Sequence, residues 1–537
     1  MRDTHGRKRS GARRGEIGAA LWLLVVLAGC AAAGDAEAGA NADAGARADA
    51  GARADAAAPA TQARWWKGNL HAHSLWSDGD DYPEMIVDWY RNAGYHFLAI
   101  SDHNVLPEGE RWVTVPPGGP AARAYARYLE RFGRDWVEAE RLGGDTLRVR
   151  LKTLAEYRPL FEEPGRFLLI QSEEITDRFE NKPLHVNATN IAEAIEPQGG
   201  NSVREVLQNN IDAVLAQRER TQQPMFPHVN HPNFVWAVTV EDLMALEGER
   251  FFEVYNGHPL VHNDGDDDHP STERMWDILL THRLAEGRDI MFGLATDDAH
   301  HYHEMDVKNA NPGRGWVMVR APELSAEALI AALERGDFYA TSGVLLRDVR
   351  REGDRITIEI EAEEGVSYRT AFIGTRRGYD ARTEPRRDAE GRVVSRGYSA
   401  DTGEVLAEVE GPVAEYRLRG DELYVRADRL EPGQAERLPA GRVRARVDAA
   451  VRGPVAPSSA EFNAAAKPAP ARPHLRCRCD GISRALSLRE ASLATPLRHP
   501  VTCAAAPARA AAPPGGHASP RAPRPGSRAR RRGAPRA

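Results

Sequence analysis

Cysteine is almost missing from this chain. Only Cys30, Cys477, Cys479 and Cys503 occur in 537 residues, and none lies in the long middle that reads as folded. That excludes a disulfide framework and leaves no thiolate for a metal site in the body. Cys477 and Cys479 make only a C-x-C, weak evidence for a metal site. Long apolar runs are missing too. Ile17–Ala28 is apolar, but it falls short of the roughly 20 residues that a spanning helix needs. Positive charge is outnumbered in the body. The net charge is −7, yet residues 451–537 hold 15 Arg and one Lys against three acids, so the rest carries about −20. An acidic body is a poor match for nucleic acid, which is disfavoured as a partner. At 42% hydrophobic and 28% charged residues, the chain is neither membrane-embedded nor wholly disordered.

The two ends read as non-globular. Arg7, Lys8, Arg9, Arg13 and Arg14 precede the apolar run, which ends in Leu27-Ala28-Gly29-Cys30. A basic start and a short apolar core fit a targeting segment. Residues 31–63 are nearly all Ala, Gly, Asp and Arg, with the unit Ala-Asp-Ala-Gly-Ala-Arg recurring between Ala42 and Ala56. With no large side chain to bury, this stretch reads as a disordered spacer. Residues 452–537 are rich in Ala, Pro and Arg and read as a disordered basic tail without an assigned role.

Between them, residues 64–343 alternate apolar strands with amphipathic helices. A strand ends at Gly68–His71, a helix runs from Glu84 to about Asn92 between Pro83 and Gly94, and Phe97–Ile100 is a continuous apolar run. The alternation continues through strands near 167–170, 225–229, 251–255, 290–294 and 316–319. Helices are expected over 202–217, 240–246, 271–284 and 325–334. This predicts an α/β protein with a parallel sheet covered by helices, closed or nearly closed into a barrel. Residues 107–160 read as a largely helical excursion able to cover a site. From 346 to 430 the period-two pattern of Ile356–Ile360, Val366–Ile373 and Glu422–Arg426 predicts a small β-rich accessory domain.

The histidines and carboxylates concentrate just after the apolar strands. His71 and His73 follow the first strand, with Asp78 in Ser77-Asp78-Gly79. Asp102 and His103 follow the second, and Glu173 and Glu174 the next. His185 lies in His185-Val186-Asn187. His228 and His231 flank Pro232, and Asp297, Asp298, His300, His301 and His303 follow Leu294. Strand C-termini of a parallel barrel share one face, where active sites form. So many imidazoles and carboxylates are costly to bury together unless cations accept their lone pairs. Zn²⁺, Fe²⁺ or Mn²⁺ suit such ligands.

These residues carry a resemblance. His71-Ala72-His73-Ser74, Ser77-Asp78-Gly79, Ser101-Asp102-His103, Glu174-Ile175, His231-Pro232 and Asp298-Ala299-His300 together resemble the polymerase-and-histidinol-phosphatase (PHP) family. Within it they look most like the metallohydrolases named for carbaryl hydrolase. The resemblance implies a distorted (β/α)7 barrel with two or three divalent metals and activity mainly on phosphate esters. It implies a first metal on His71, His73, Glu174 and Asp298. A second would share Glu174 and add His185 and His231. A third would take Asp78, His103 and His300, although Asp78 stands where several relatives carry His. Asp102, His228 and His301 are expected around these ligands, with His300, His301 and His303 as candidate leaving-group acids. The N-terminus resembles a bacterial lipoprotein signal (1–30), which implies a lipid anchor at Cys30 and an extracytoplasmic address.

The reading is thus a metal-dependent hydrolase whose metal-activated hydroxide attacks a phosphate ester of a small molecule. Two alternatives remain open: carboxyl-ester or carbamate hydrolysis at the same site, and a non-catalytic metal- or ligand-binding lipoprotein. A nuclease is disfavoured by the acidic body and the expected address.

Overall fold

A computed structural model describes residues 20–23, 63–430 and 447–452. Cys30, the spacer, the tail and the other three cysteines lie outside the described residues, as does the signal segment apart from Ala20–Leu23. All the described residues belong to one compact unit spanning 1–461. No helix among them is long and apolar enough to cross a membrane.

One sheet organises the site. Its strands run in the order Phe292–Thr296, Phe251–Asn256, Phe226–Val229, Lys182–Thr189, Leu168–Phe179, Phe97–Ile100, Arg64–Asn69, Trp316–Ala321 and Phe338–Thr341. The sheet curls until Phe292–Thr296 lies beside Trp316–Ala321 and Phe338–Thr341, so the barrel nearly closes. The expected wholly parallel order is corrected here. Pairing is parallel between Arg64–Asn69, Phe97–Ile100 and Leu168–Phe179, and again between Phe226–Val229, Phe251–Asn256 and Phe292–Thr296. Lys182–Thr189, absent from the sequence reading, pairs antiparallel on both sides. Only two residues separate it from Leu168–Phe179, and Glu180 takes φ +55° there. A turn that tight can only return the chain antiparallel. Trp316–Ala321 is likewise antiparallel to both of its neighbours.

The helices form where the sequence punctuates them. Pro83 opens Pro83–Asn92, which buries Ile86, Val87 and Tyr90 against the sheet. Ser202, Ser271 and Ser325 each accept a hydrogen bond from the backbone three residues on, capping Val203–Thr221, Thr272–Ala285 and Ala326–Arg335. Phe97–Ile100 is buried on both faces. Gly68 makes room for it, since a Cβ there would sit 2.1 Å from the Phe97 ring.

The excursion at 107–160 is not largely helical. Arg111–Val115, Ala139–Gly143 and Thr146–Leu151 form a three-stranded antiparallel sheet, with helices Gly119–Phe132 and Leu154–Phe161 beside it. Thr146–Leu151 turns Val149 and Leu151 inward, and this period-two pattern outweighs helix propensity. The insert has its own apolar cluster, which includes Trp76, Tyr82, Val115, Tyr128, Val149 and Leu151. Tyr82 stacks on Tyr128 at 4.0 Å, and buried Glu84 accepts from the Tyr128 hydroxyl and the Trp136 indole.

From Leu346 onward every strand pairing is antiparallel. Beyond Phe338–Thr341 the main sheet continues through Val447–Arg452, Glu422–Leu430, Arg369–Arg376 and Glu404–Glu410. Ala20–Leu23 pairs with Ala427–Leu430. A buried bidentate ion pair fastens this part to the barrel. Arg426 Nε and Nη2 donate to Asp277 at 2.7 and 2.8 Å, and the Tyr424 hydroxyl joins them.

Candidate metal centre

His71 and His73 lie just past the strand Arg64–Asn69. Backbone bonds from His73 N to Ala299 O (2.9 Å) and from Asp298 N to His71 O (3.0 Å) hold them extended and bring Asp298 against them. Alternate residues of an extended chain share a face, and both rings point to one spot. His71 Nε2 lies 3.1 Å from His73 Nε2 and 3.3 Å from Asp298 Oδ1. His73 Nε2 lies 3.1 Å from the same oxygen. Glu174 Oε2 approaches the two nitrogens at 3.4 and 3.3 Å. His71 Nε2, His73 Nε2 and Asp298 Oδ1 form one close trio, with Glu174 Oε2 beside its two nitrogens, and these spacings suit bonds of about 2.0 Å from zinc to nitrogen or oxygen. Glu174 Oε2 is buried among imidazole nitrogens. Buried imidazoles and carboxylates aimed at one another need shared protons or a cation to satisfy them. The donor set therefore fits a divalent ion. Asp298 takes φ +49° to reach this position, a strained conformation for a non-glycine residue.

Glu174 joins the groups. Its Oε1 accepts from His185 Nδ1 at 2.8 Å and from Asn230 Nδ2 at 2.6 Å, with His231 Nε2 at 3.4 Å. The hairpin pairs Glu174 with Asn187 and His185 with Thr176, which puts both functional side chains at one end of the barrel. Glu173 turns away and accepts from Ile195 N; burial pushes its carboxyl up to about 7. Asp78 Oδ1 lies 3.6 Å from His103 Nε2, 3.4 Å from His300 Nε2 and 3.8 Å from His73 Nδ1. His103 also faces Glu174, with Nδ1 at 2.8 Å from Oε2. The loop bearing Asp78 lies flat on the His73 backbone because Gly79 has no side chain; a Cβ there would meet His73 O at 2.4 Å.

All nine residues singled out in the sequence thus meet in one neighbourhood. Their charges are strongly coupled. Burial works against ionisation of Glu174 and Asp298, but the adjoining imidazoles outweigh it and hold both carboxyls well below their usual range. Burial also opposes a proton on His103, yet Glu174 and Asp78 lift it to about 11. His71, His231 and His300 are raised against burial by the same acids. His73 is held down near 3 by burial and by the charge of His300.

Several surrounding groups were not singled out in the sequence. Glu253 Oε1 lies 2.7 Å from His71 Nδ1 and also accepts from Thr296 Oγ1, while Oε2 accepts from His231 N and Asn256 Nδ2. Asn256 bonds Asp298 Oδ2 as well. His258 sits edge-on to His300 with ring centroids 5.5 Å apart; its own amide donates to Asn256 Oδ1. His228 is 3.5 Å from Glu253 Oε1 and so stands beside the group that touches His71. Asp102 O accepts from Glu174 N at 3.2 Å, but its carboxylate bonds no candidate ligand side chain. It accepts from Ser74 N, Ser74 Oγ and Ser77 Oγ, and Ser77 Oγ lies 3.5 Å from His73 Nδ1. His301 points elsewhere: it is exposed, and its Nδ1 accepts from Ala310 N. His303 bonds Asp80 O, and Asp297 is occupied by Tyr90, Arg314 N and Gly315 N.

No family model and no curated protein matches this chain. Distant likenesses exist among solved structures. One is a two-domain protein from Bacteroides vulgatus containing a predicted PHP-like metal-dependent phosphoesterase. It shares 14% identity over 70% of this chain and 95% of that one, with a TM-score of 0.29. Another is assigned as a metal-dependent phosphoesterase, from Bifidobacterium adolescentis, with 14% identity over 50% and 96% and a TM-score of 0.23. A third is an amidohydrolase from Chromobacterium violaceum with bound sulfate and no metal, with 12% identity over 44% and 87% and a TM-score of 0.22. The side chains of the cluster, rather than these likenesses, carry the functional reading.

Proposed function

We propose that this chain is a PHP-type metal-dependent hydrolase that cleaves a phosphate ester of a small molecule. The supporting observation is the close trio of His71 Nε2, His73 Nε2 and Asp298 Oδ1, spaced 3.1–3.3 Å apart, with Glu174 Oε2 3.3–3.4 Å from both nitrogens. His185 and His231 adjoin on one side of Glu174, and Asp78, His103 and His300 on the other. When bound, two or three divalent ions would supply Lewis acidity and a water acidic enough to lose its proton near neutrality. The chain's own residues do the rest. His71, His73, Glu174 and Asp298 would hold the first ion, and Glu253 and Asn256 orient two of those ligands. His185 and His231 would share Glu174 around the second. Asp78, His103 and His300 would hold the third on the solvent side, since Asp78 is exposed. Asn230 fixes the Glu174 carboxylate so that its two oxygens serve different neighbours.

The deciding experiment is metal analysis of the purified full chain, followed by a panel of phosphomonoesters, phosphodiesters, carboxyl esters and carbamates. Bound divalent metal with turnover of phosphate esters is expected. His71→Ala with His73→Ala should remove metal and turnover together, and unchanged turnover in that variant would eliminate the site.

The proposal extends to location. The basic start, the apolar run and Cys30 support export and lipid attachment, with cleavage before Cys30 removing Ala20–Leu23 from the mature chain. Loss of lipid labelling in Cys30→Ala tests it.

A further inference from the structure

The inserted helix Gly119–Phe132 carries a row of three arginines, Arg123, Arg127 and Arg131, at a spacing of four. Residues four apart lie on one face of a helix, with Cβ atoms about 6 Å apart. Arg131 is matched, with Nε and Nη2 each 2.9 Å from the Asp88 carboxylate. Arg123 and Arg127 are exposed and form no hydrogen bond or ion pair among the described residues. Arg127 acts on Asp80 and Asp81 through its charge but makes no bond to them, and an oxyanion between the two guanidiniums would be held by charge-assisted, forked bonds.

These two arginines line an open cleft of about 210 Å³. Its opposite wall is the 301–304 segment, with His301 and His303, and its floor is Asp80. That wall and floor are continuous with the loops that carry His300 and Asp78. Asp80 N donates to His300 O at 2.9 Å, and Tyr302 N donates to Asp80 Oδ1 at 2.8 Å. The Asp80 carboxylate is thus already engaged, and the other acid of the cleft, Glu304, is exposed. Among the described residues no Arg or Lys pairs with the carboxylates of the metal centre, and Arg123 and Arg127 bring fixed positive charge to the cleft beside its Asp78 loop.

We propose that Arg123 and Arg127 form an oxyanion-recognition site that takes a phosphate or carboxylate on the part of the substrate that is not cleaved. The site rests on the hydrolase reading only for the word substrate. Anion binding itself is independent of that reading. The insert would then set specificity, favouring esters with a second anionic group over neutral ones.

The test uses the full chain without metal, titrated calorimetrically with inorganic phosphate and, separately, with succinate. Anion binding at the centre's own imidazoles is common to the native chain and the double variant, so the difference between the two reads Arg123 and Arg127. Binding of one or both anions is expected, weakened at least about tenfold in Arg123→Gln with Arg127→Gln, a loss in keeping with charge-assisted bonds. Arg204→Gln, on the remote helix Val203–Thr221, removes the same type of charge and should leave the titration unchanged. The two anions distinguish a phosphate from a carboxylate ligand. Equal binding by the native chain and the double variant, or equal weakening by Arg204→Gln, would overturn the proposal. In the metal-loaded chain, the ratio of kcat/KM for a carboxylate-bearing aryl phosphate to that for p-nitrophenyl phosphate should fall in the double variant; an unchanged ratio would also overturn it. If metal and turnover are absent while anion binding still depends on the two arginines, the hydrolase reading fails and the anion site stands.

Discussion

The Nδ1 atom of His71 lies 2.7 Å from Glu253 Oε1, deep under the centre where both side chains are fully buried. The carboxylate takes the proton-bearing nitrogen and leaves Nε2 turned toward His73, Glu174 and Asp298. A carboxylate behind a ligating histidine fixes its tautomer and orientation. Glu253→Gln should therefore weaken the first metal by about 10- to 100-fold while the chain stays folded. Competition with a fluorescent chelator measures this; an unaltered affinity would show that Glu253 does not position His71.

Metal uptake should release protons. Without metal, His71, His103, His231 and His300 are raised above the ordinary histidine range by the surrounding carboxylates, although burial opposes each. A cation replaces those protons, so apparent affinity falls as pH drops below neutrality. Calorimetry in two buffers of different ionisation enthalpy should return a positive proton count at pH 7. A count of zero would mean that the imidazoles are already neutral.

A separate group governs stability against pH. Glu249 is fully buried; burial pushes its carboxyl up to about 8, although amide bonds from Phe251 and Arg250 pull the other way. Its folded value lies above its unfolded value, so the folded state holds the extra proton. Stability from this group is complete below about pH 4.5 and declines as pH rises toward 8. Glu249→Gln keeps an acceptor for the two amides and carries no charge. Its Tm should exceed that of the native chain at pH 8–9, and the advantage should shrink toward pH 5.

The ion pair between Asp277 and Arg426 ties the later strands to the barrel. Removing one partner of a buried pair leaves the other charge without compensation, at a cost of about 3–5 kcal/mol. Asp277→Ala should lower the unfolding midpoint in denaturant by a corresponding amount. Gly403→Ala should act at the same joint, because its Cβ would fall 2.5 Å from Asp277 Oδ2. A loss below about 1 kcal/mol, as for exposed pairs, would show that water reaches the pair.

Most of the nine candidate ligands were legible because they follow a strand that is apolar enough to recognise; His185, inside a strand the sequence did not reveal, came from the family resemblance. Glu253 was not, since it lies inside the run Phe251-Phe252-Glu253-Val254-Tyr255 and was read as part of a buried strand. A lone acid in a strand buried on both faces needs a partner, and that was the available signal. Lys182–Thr189 was missed for a different reason. Its partner Leu168–Phe179 is longer than the apolar stretch 167–170 that marks it, because the polar half of the hairpin faces the cluster. In the insert, Thr-Leu-Arg-Val-Arg-Leu at 146–151 alternates with period two, a strand signal obscured by the helices on either side. Asn230 and Asn256 carry no sequence mark, as an asparagine beside a strand is ordinarily a turn residue.

The apolar cluster of the insert takes two of its members, Trp76 and Tyr82, from the very loop that carries Asp78. The Trp76 indole also donates to Lys152 O across that junction at 3.1 Å. The insert therefore works as a clasp. His71, His73, Glu174, His185 and Asp298 hang from the sheet and its immediate continuations, whereas the loop of Asp78 is braced by the insert as well as by its own backbone bonds to Ser74 and His300. Loosening that small cluster would disturb Asp78 before the buried ligands.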